Sequence, residues 1–165
     1  MKKLLILPLL AAAATIGSVA SQALVAKADN GGPNSVVGAW QVDAIGAPYV
    51  PHLFTYNADG TMNTTNPTNV QESASRPHGG TNDSLGMGPW EPVNGQPNTF
   101  IGTFYELNAN ADDHTPTDTL SVTYKIVVDG DHFTGNALAK QGSFSGPATL
   151  NGTRLTIDQS ALPGL

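Results

Sequence analysis

Three tight turns divide most of this chain into short segments, and they constrain its fold more than any other feature. Asp59-Gly60, Asn94-Gly95 and Asp129-Gly130 each begin 35 residues after the one before. An Asp-Gly or Asn-Gly pair between alternating residues is the strongest short-range signal of a β-hairpin, because both central residues of a type I′ turn need a positive φ. Asn151-Gly152 gives the same signal. The turns therefore predict a meander of hairpins.

The segments between these turns have the period of β-strands. In the segment 98–107, Phe100, Gly102, Phe104 and Glu106 share one face, as period-two alternation requires. No segment carries a convincing apolar helical period, apart from the first 28 residues. We predict strands over 36–45, 51–57, 61–66, 85–93, 98–107, 118–128, 132–140, 143–150 and 153–158.

The lengths of the connections predict how the sheet is arranged. Tight turns join the second strand to the third, the fourth to the fifth, the sixth to the seventh and the eighth to the ninth. Longer connections follow the first, third and fifth strands. Alternate loops of a meander lie at opposite ends, so one end is closed by tight turns and the other carries the long loops. An open sheet would expose two edges. We therefore predict an all-β fold, an antiparallel up-and-down β-barrel of about 8–9 strands.

The first 28 residues have the pattern of a secretory signal peptide. Lys2 and Lys3 precede a short apolar run, which small residues follow. Cleavage after Ala28 or after Ala23 fits the preference for small residues at the cut. The apolar run is short for a membrane span, so we expect no membrane anchor in the mature form. The pattern predicts a signal peptide over 1–28 and a secreted or periplasmic protein of a bacterium.

The remaining segment, 29–165, is predicted to form a single domain, since it is long enough to bury one core without disulfides. It has 4 Lys and Arg residues against 13 Asp and Glu residues, a net charge of −9. Such a composition cannot form a basic groove, which makes nucleic acid and anionic membranes poor partners. Asp129, Asp131 and His132 are interpreted as turn residues, and we predict no metal site and no cofactor. The oligomeric state stays open.

The first predicted strand opens with Gly38-Ala39-Trp40, in the segment VVGAWQV. These residues resemble the Gly-x-Trp motif of the lipocalins and the wider calycin group. The segments FTYNADGTM, GPWEP, TFIGTFYEL and VDGDHFTG are also similar to small secreted bacterial lipocalin-like proteins. The resemblance implies that Trp40 plugs the closed end of the barrel. The later helix and the disulfides of lipocalins are absent, and the allene-oxide-cyclase-like barrels stay open as an alternative.

Large apolar and aromatic side chains at alternating positions are predicted to face the barrel interior. Under one interpretation they fill it, and under the other some of them wall a pocket for a small hydrophobic molecule. Gly102, Gly135 and Ala137 would then leave space on the same inner faces. The candidate ligand-binding residues are Trp40, Phe54, Tyr56, Met62, Trp90, Phe100, Phe104, Tyr124 and Phe133.

Three classes of function fit this barrel. We favour a secreted or periplasmic binding protein for a small apolar ligand. The first alternative is a cofactor-independent isomerase, cyclase or lyase, in which His52, Tyr56, Glu106 or Tyr124 moves a proton. An inward Glu106 would favour it, because burial raises the pKa of a carboxyl group. The second alternative is a protein-interaction module with a solid barrel.

Overall fold

The computed structural model describes residues 32, 34–47, 50–65, 81–110, 113–158 and 160, so the predicted signal peptide lies outside the described residues. About two thirds of the described residues lie in β-strands. In chain order they are β1 (Gly38–Ile45), β2 (His52–Tyr56), β3 (Thr61–Thr65), β4 (Thr81–Asp83), β5 (Gly86–Pro92), β6 (Thr99–Asn110), β7 (Pro116–Asp129), β8 (His132–Gln141) and β9 (Phe144–Arg154). Within these ranges, no helix is long and apolar enough to cross a membrane.

These strands form one closed antiparallel sheet. β1 pairs with β2 on one side and with β9 on the other, and this second pairing closes the barrel. β4 and β5 both pair with the same edge of β6, so together they occupy one position in the wall. The barrel therefore has eight positions, which confirms the predicted up-and-down architecture. The prediction contained no strand at 81–83, where β4 lies.

Three of the four predicted turns lie at one end of the barrel. Gly60, Gly95 and Gly130 have φ values of 85°, 73° and 58°, in the left-handed region that glycine tolerates. Asp129 pairs with His132, so the central residues of the last turn are Gly130 and Asp131. Only Gly130 has a positive φ, which is the pattern of a type II′ turn and not of the expected type I′.

The fourth predicted turn, at Asn151-Gly152, is wrong. β9 runs without interruption through both residues, so the predicted strands 143–150 and 153–158 are largely one strand. Gly152 lies opposite Phe133 of β8, and the Phe133 ring occupies the space where a Cβ of residue 152 would lie. This glycine allows an aromatic ring to pack against the backbone of the neighbouring strand.

The half of the barrel near the tight turns is filled by aromatic side chains. Trp40 is fully buried there, as the resemblance implied, and its ring centroid lies 5.0 Å from that of Phe133. Tyr56 stands edge-on to Trp90 at 6.0 Å, and Trp90 is edge-on to Phe100 at 5.7 Å. Such tilted and edge-to-face contacts are favourable arrangements for aromatic pairs. Aromatic rings thus fill much of the interior of this half.

Arg154, the last residue of β9, closes the base of this packed half. Its guanidinium carbon lies 4.2 Å from the centre of the Trp40 ring. Its Nη1 donates to the Val37 carbonyl at 2.8 Å, and its Nη2 donates to the Ser35 carbonyl at 2.7 Å. Its Nε pairs with Asp131 at 3.0 Å. One cation therefore joins the segment before β1, the β7–β8 turn and the last strand.

Replacement of Arg154 by Met should lower the free energy of unfolding by about 3 kcal/mol, because the hydrogen bonds from a charged donor and the cation–π contact are lost together. Chemical denaturation measures this loss. Lys125→Met, at an exposed position of β7, is the matched control and should change the stability by less than about 0.5 kcal/mol. Equal effects of the two substitutions would show that Arg154 does not close the base.

Candidate functional site

The opposite half of the barrel, at the end of the long connections, is hollow. It contains a cavity of about 230 Å³. Every strand of the described barrel except β3 and β5 contributes to its wall. The lining residues are Ala44, Gly46, Ala47, His52, Phe54, Asp83, Phe104, Glu106, Asn108, Leu120, Val122, Ala137, Ala139, Gln141, Phe144, Gly146, Ala148 and Leu150.

Small side chains on β1, β8 and β9 create this space. On β8, the inward positions change from Phe133 near the base to Ala137 and Ala139 near the mouth. On β9, Gly146 and Ala148 lie at inward positions of the same wall. Because the backbone of a barrel keeps a nearly constant width, small inward residues leave a void that large ones would fill.

Two of the nine predicted ligand-binding residues, Phe54 and Phe104, line the cavity. Their ring centroids are 5.7 Å apart in an edge-to-face arrangement. The other seven lie in the core with at most 4 % of their surface exposed, and none of them lines the cavity. These seven are Trp40, Tyr56, Met62, Trp90, Phe100, Tyr124 and Phe133.

Two of the three positions expected to leave space are filled by neighbours across the strands. A Cβ at Gly102 would overlap the phenol group of Tyr124, which lies opposite on β7. A Cβ at Gly135 would overlap the backbone and side chain of Ile126. Ala137 does line the cavity. Gly102 and Gly135 therefore serve the close packing of large neighbours and do not bound the empty space.

Glu106 of β6 is the more deeply buried of the two acidic residues that line the described cavity wall. It is 4 % exposed, and a Cβ at Gly86 of β5 would lie 3.1 Å from its Oε1. Burial raises the pKa of the Glu106 carboxyl to about 7, and the negative charge of Asp83 adds to this shift. Burial disfavours the charged form of a carboxyl group because it removes hydration, and a nearby like charge acts in the same direction. Glu106 is therefore poised to gain or lose a proton near neutral pH.

Asp83 and Asn108 extend the polar side of the wall towards the mouth. They lie opposite each other in the pairing of β4 with β6. Asn108 is buried, and its Oδ1 has no hydrogen-bond partner among the described residues. Neither residue was among the candidates predicted from the sequence. Alternation from Glu106 through Asn108 was available as a signal, but the predicted strand ended at residue 107.

The other candidate acid–base residues are divided between the two halves. His52, at the start of β2, lines the cavity with Glu106. Tyr56 and Tyr124 lie in the packed half, with ring centroids 6.1 Å apart. Burial raises the pKa of both phenols above the ordinary value. The structure therefore brings His52 and Glu106 to one cavity and places the two tyrosines in the core.

Comparison of the chain with profiles of known protein families, with curated proteins and with solved structures finds no match. The closed antiparallel barrel is compatible with a lipocalin-like fold. Its function must therefore be inferred from the cavity and the residues that line it.

The raised pKa of Glu106 predicts a stability that depends on pH. Between the ordinary pKa of 4.5 in the unfolded chain and the value of about 7 in the folded protein, the folded protein binds more protons than the unfolded chain. The resulting contribution of Glu106 to the free energy of unfolding is complete below pH 4.5 and is lost as the pH rises through about 7. Glu106→Gln removes this dependence on pH. The free energy of unfolding of the variant, relative to that of the wild type, should therefore be about 2 kcal/mol higher at roughly pH 8 than at roughly pH 5.

Denaturation of both proteins at the two pH values measures this difference. Glu91→Gln is the matched control, because Glu91 is an exposed residue of the adjacent strand β5. Its stability should follow that of the wild type. A constant difference between wild type and Glu106→Gln across this range would contradict the assigned pKa.

Proposed function

We propose that this protein binds a small, largely apolar molecule inside the open half of its barrel. The proposal rests on the hollow half of the barrel, at the end of the long connections, whose wall holds alanine, leucine, valine and phenylalanine side chains. Ligand sites in proteins are typically concave and apolar, with a few polar groups that orient the ligand. Glu106, Asn108 and His52 supply those groups here. The signal-peptide pattern over 1–28 supports a secreted or periplasmic binding protein.

The volume of the cavity limits the size of the ligand. Drug-sized sites occupy about 300–1,000 Å³, whereas an engineered cavity of about 150 Å³ holds one benzene molecule. The cavity of about 230 Å³ lies between these values. A molecule with one or two rings, or a short branched chain, fits this space. Long fatty acids and large polycyclic compounds do not.

The composition of the wall also opposes the interpretation as a solid barrel. An interaction module with a filled barrel would need large side chains at the inward positions near the mouth. Residues 44, 137, 139 and 148 are alanines instead. An apolar cavity in a well-packed protein costs stability, since the lining atoms lose contacts that a filled core would provide. A ligand that fills the cavity recovers those contacts.

Indole is a suitable test ligand, because it is neutral, bicyclic and within the size limit. Titration followed by two-dimensional NMR should show about one molecule bound per chain, with shifts at residues around the cavity. Ala137→Phe should lower the affinity at least about tenfold, since the new ring occupies the space. Asn136→Phe places the same ring on an exposed position of β8 and should leave binding unchanged. Equal binding by both variants would overturn the proposed site.

Glu106 favours a second candidate function, a cofactor-independent barrel enzyme. A carboxyl group with a pKa of about 7 in an apolar cavity suits general acid–base catalysis at neutral pH. Mass spectrometry under native conditions can identify a molecule that co-purifies with the protein from the organism that encodes it. Incubation of that molecule with the wild type should give a new product if the protein is an enzyme, and Glu106→Gln should then bind it without converting it. An unchanged molecule supports the binding protein.

A further inference from the structure

We infer that the ligand of this cavity is a small protonated amine, whose apolar body lies against the alanine wall and whose ammonium group lies at Glu106 and Asn108. This inference rests on the proposed function and names its ligand class. It rests on three observations: the positions of the polar groups in the wall, their hydrogen-bond partners, and the charges around the cavity.

Both acidic groups of the described wall and one of its amides are gathered on one side, whereas His52 on β2 and Gln141 on β8 lie elsewhere in the wall. Glu106 and Asn108 occupy alternate positions of β6, and Asp83 lies opposite Asn108 on β4. β1 lies across the barrel from β6 in the order of the eight positions, and it contributes Ala44 to the wall. A molecule in the cavity therefore meets both described acidic groups on the β4–β6 side and an alanine on the opposite side. An amphipathic ligand with a single polar end matches this division.

Asn108 gives independent support for a ligand at this side. Its side chain is 7 % exposed and lines the cavity, yet its Oδ1 has no hydrogen-bond partner within the described part of the chain. A buried polar atom without a partner is costly, and in native proteins it commonly marks a place where a water or a ligand binds. The carbonyl oxygen of an amide accepts hydrogen bonds, so its natural partner is a donor such as an ammonium N–H.

The charges around the cavity favour a cation and oppose an anion. Glu106 and Asp83 line it, and none of the lining residues that the structure describes is Lys or Arg. Of the described cationic side chains, Lys125 and Lys140 are exposed, and Arg154 lies at the opposite end of the barrel. An ammonium group would compensate the charge of Glu106 in a site of low dielectric, where a paired charge is far better tolerated than a single one.

Three probes of similar size and different charge test the ligand class: benzylamine, benzyl alcohol and benzoate. Each combines a benzene ring with one short polar arm, within the size limit of the cavity. In NMR titrations near pH 8, benzylamine should bind about tenfold or more tightly than benzyl alcohol, because a charge-assisted hydrogen bond replaces a neutral one. Benzoate should bind more weakly than either, since its carboxylate would face Glu106 and Asp83.

Glu106→Gln should abolish most of the preference for benzylamine and leave the affinity for benzyl alcohol within about threefold, because the amide still hydrogen-bonds but carries no charge. Glu91→Gln removes the same charge from the outer surface and should retain the full preference. Thermal unfolding of each variant confirms that it is folded before the titrations are compared.

The affinity for benzylamine should also rise with pH. Glu106 faces Asp83 from β4 and His52 from β2 across the cavity, whereas the lining residues from β1, β7, β8 and β9 carry no charge. Because the ammonium ion prefers the ionised carboxylate, the wild type should bind benzylamine about tenfold or more tightly at pH 8 than at pH 5.5. The Glu106→Gln variant isolates this part of the pH dependence, since any contribution of His52 or Asp83 persists in it.

The outcomes distinguish the inference from the proposed function. A preference for benzylamine that Glu106→Gln removes supports both. Binding of benzyl alcohol as tight as that of benzylamine overturns the amine inference and leaves the cavity as a neutral ligand site. The same conclusion follows if Glu106→Gln retains the preference. Failure of benzylamine, benzyl alcohol and indole all to bind overturns the proposed function itself.

Discussion

The contact of the Arg154 guanidinium with the Trp40 ring holds the barrel closed at its base. Arg154 belongs to the last strand and Trp40 to the first, so the contact lies at the seam where the sheet meets itself. The same guanidinium donates hydrogen bonds to the carbonyls of Ser35 and Val37, in the segment that precedes β1. A charge near the bottom of an apolar core is tolerated because aromatic and polar partners surround it. Water is thereby excluded from one end, and the barrel is a cup and not a channel.

Side-chain volume along the strands determines which part of this cup is solid. Towards the base, inward positions hold tryptophan, tyrosine and phenylalanine, often opposite a glycine that accepts the neighbouring ring. Towards the mouth, several inward positions of β8 and β9 hold alanine or glycine instead. Both halves obey the same rule of close packing, since only the missing side-chain volume near the mouth produces a void. The polar residues Glu106 and Asn108 lie at the level of that void, where a ligand can reach them.

The architecture was predictable because it depends on local signals that repeat. Turn pairs such as Asp59-Gly60 and strict alternation along 98–107 require only neighbouring residues to act, and they led to the correct barrel. Asn151-Gly152 failed as a turn signal because its glycine accommodates Phe133, a residue distant in sequence.

The candidate site was harder to predict because it also depends on contacts between residues that are distant in sequence. Aromatic residues were predicted to contact the ligand. Whether an aromatic ring lines a cavity or fills the barrel, however, depends on the side chains that face it from other strands. Phe104 and Tyr124 show both outcomes on adjacent strands.

The pairing of β1 with β9 has a consequence for how the protein folds during its synthesis. Ile45 pairs with Thr149, so the sheet cannot close until almost the whole described chain has left the ribosome. Contacts between such distant segments slow folding, because the entropy of a long loop is lost before the contact is gained. Until then, β1 presents an unpaired edge and the inward aromatic residues stay exposed to other chains. The interval between synthesis of the first and last strands is therefore the period in which this protein most needs protection from aggregation.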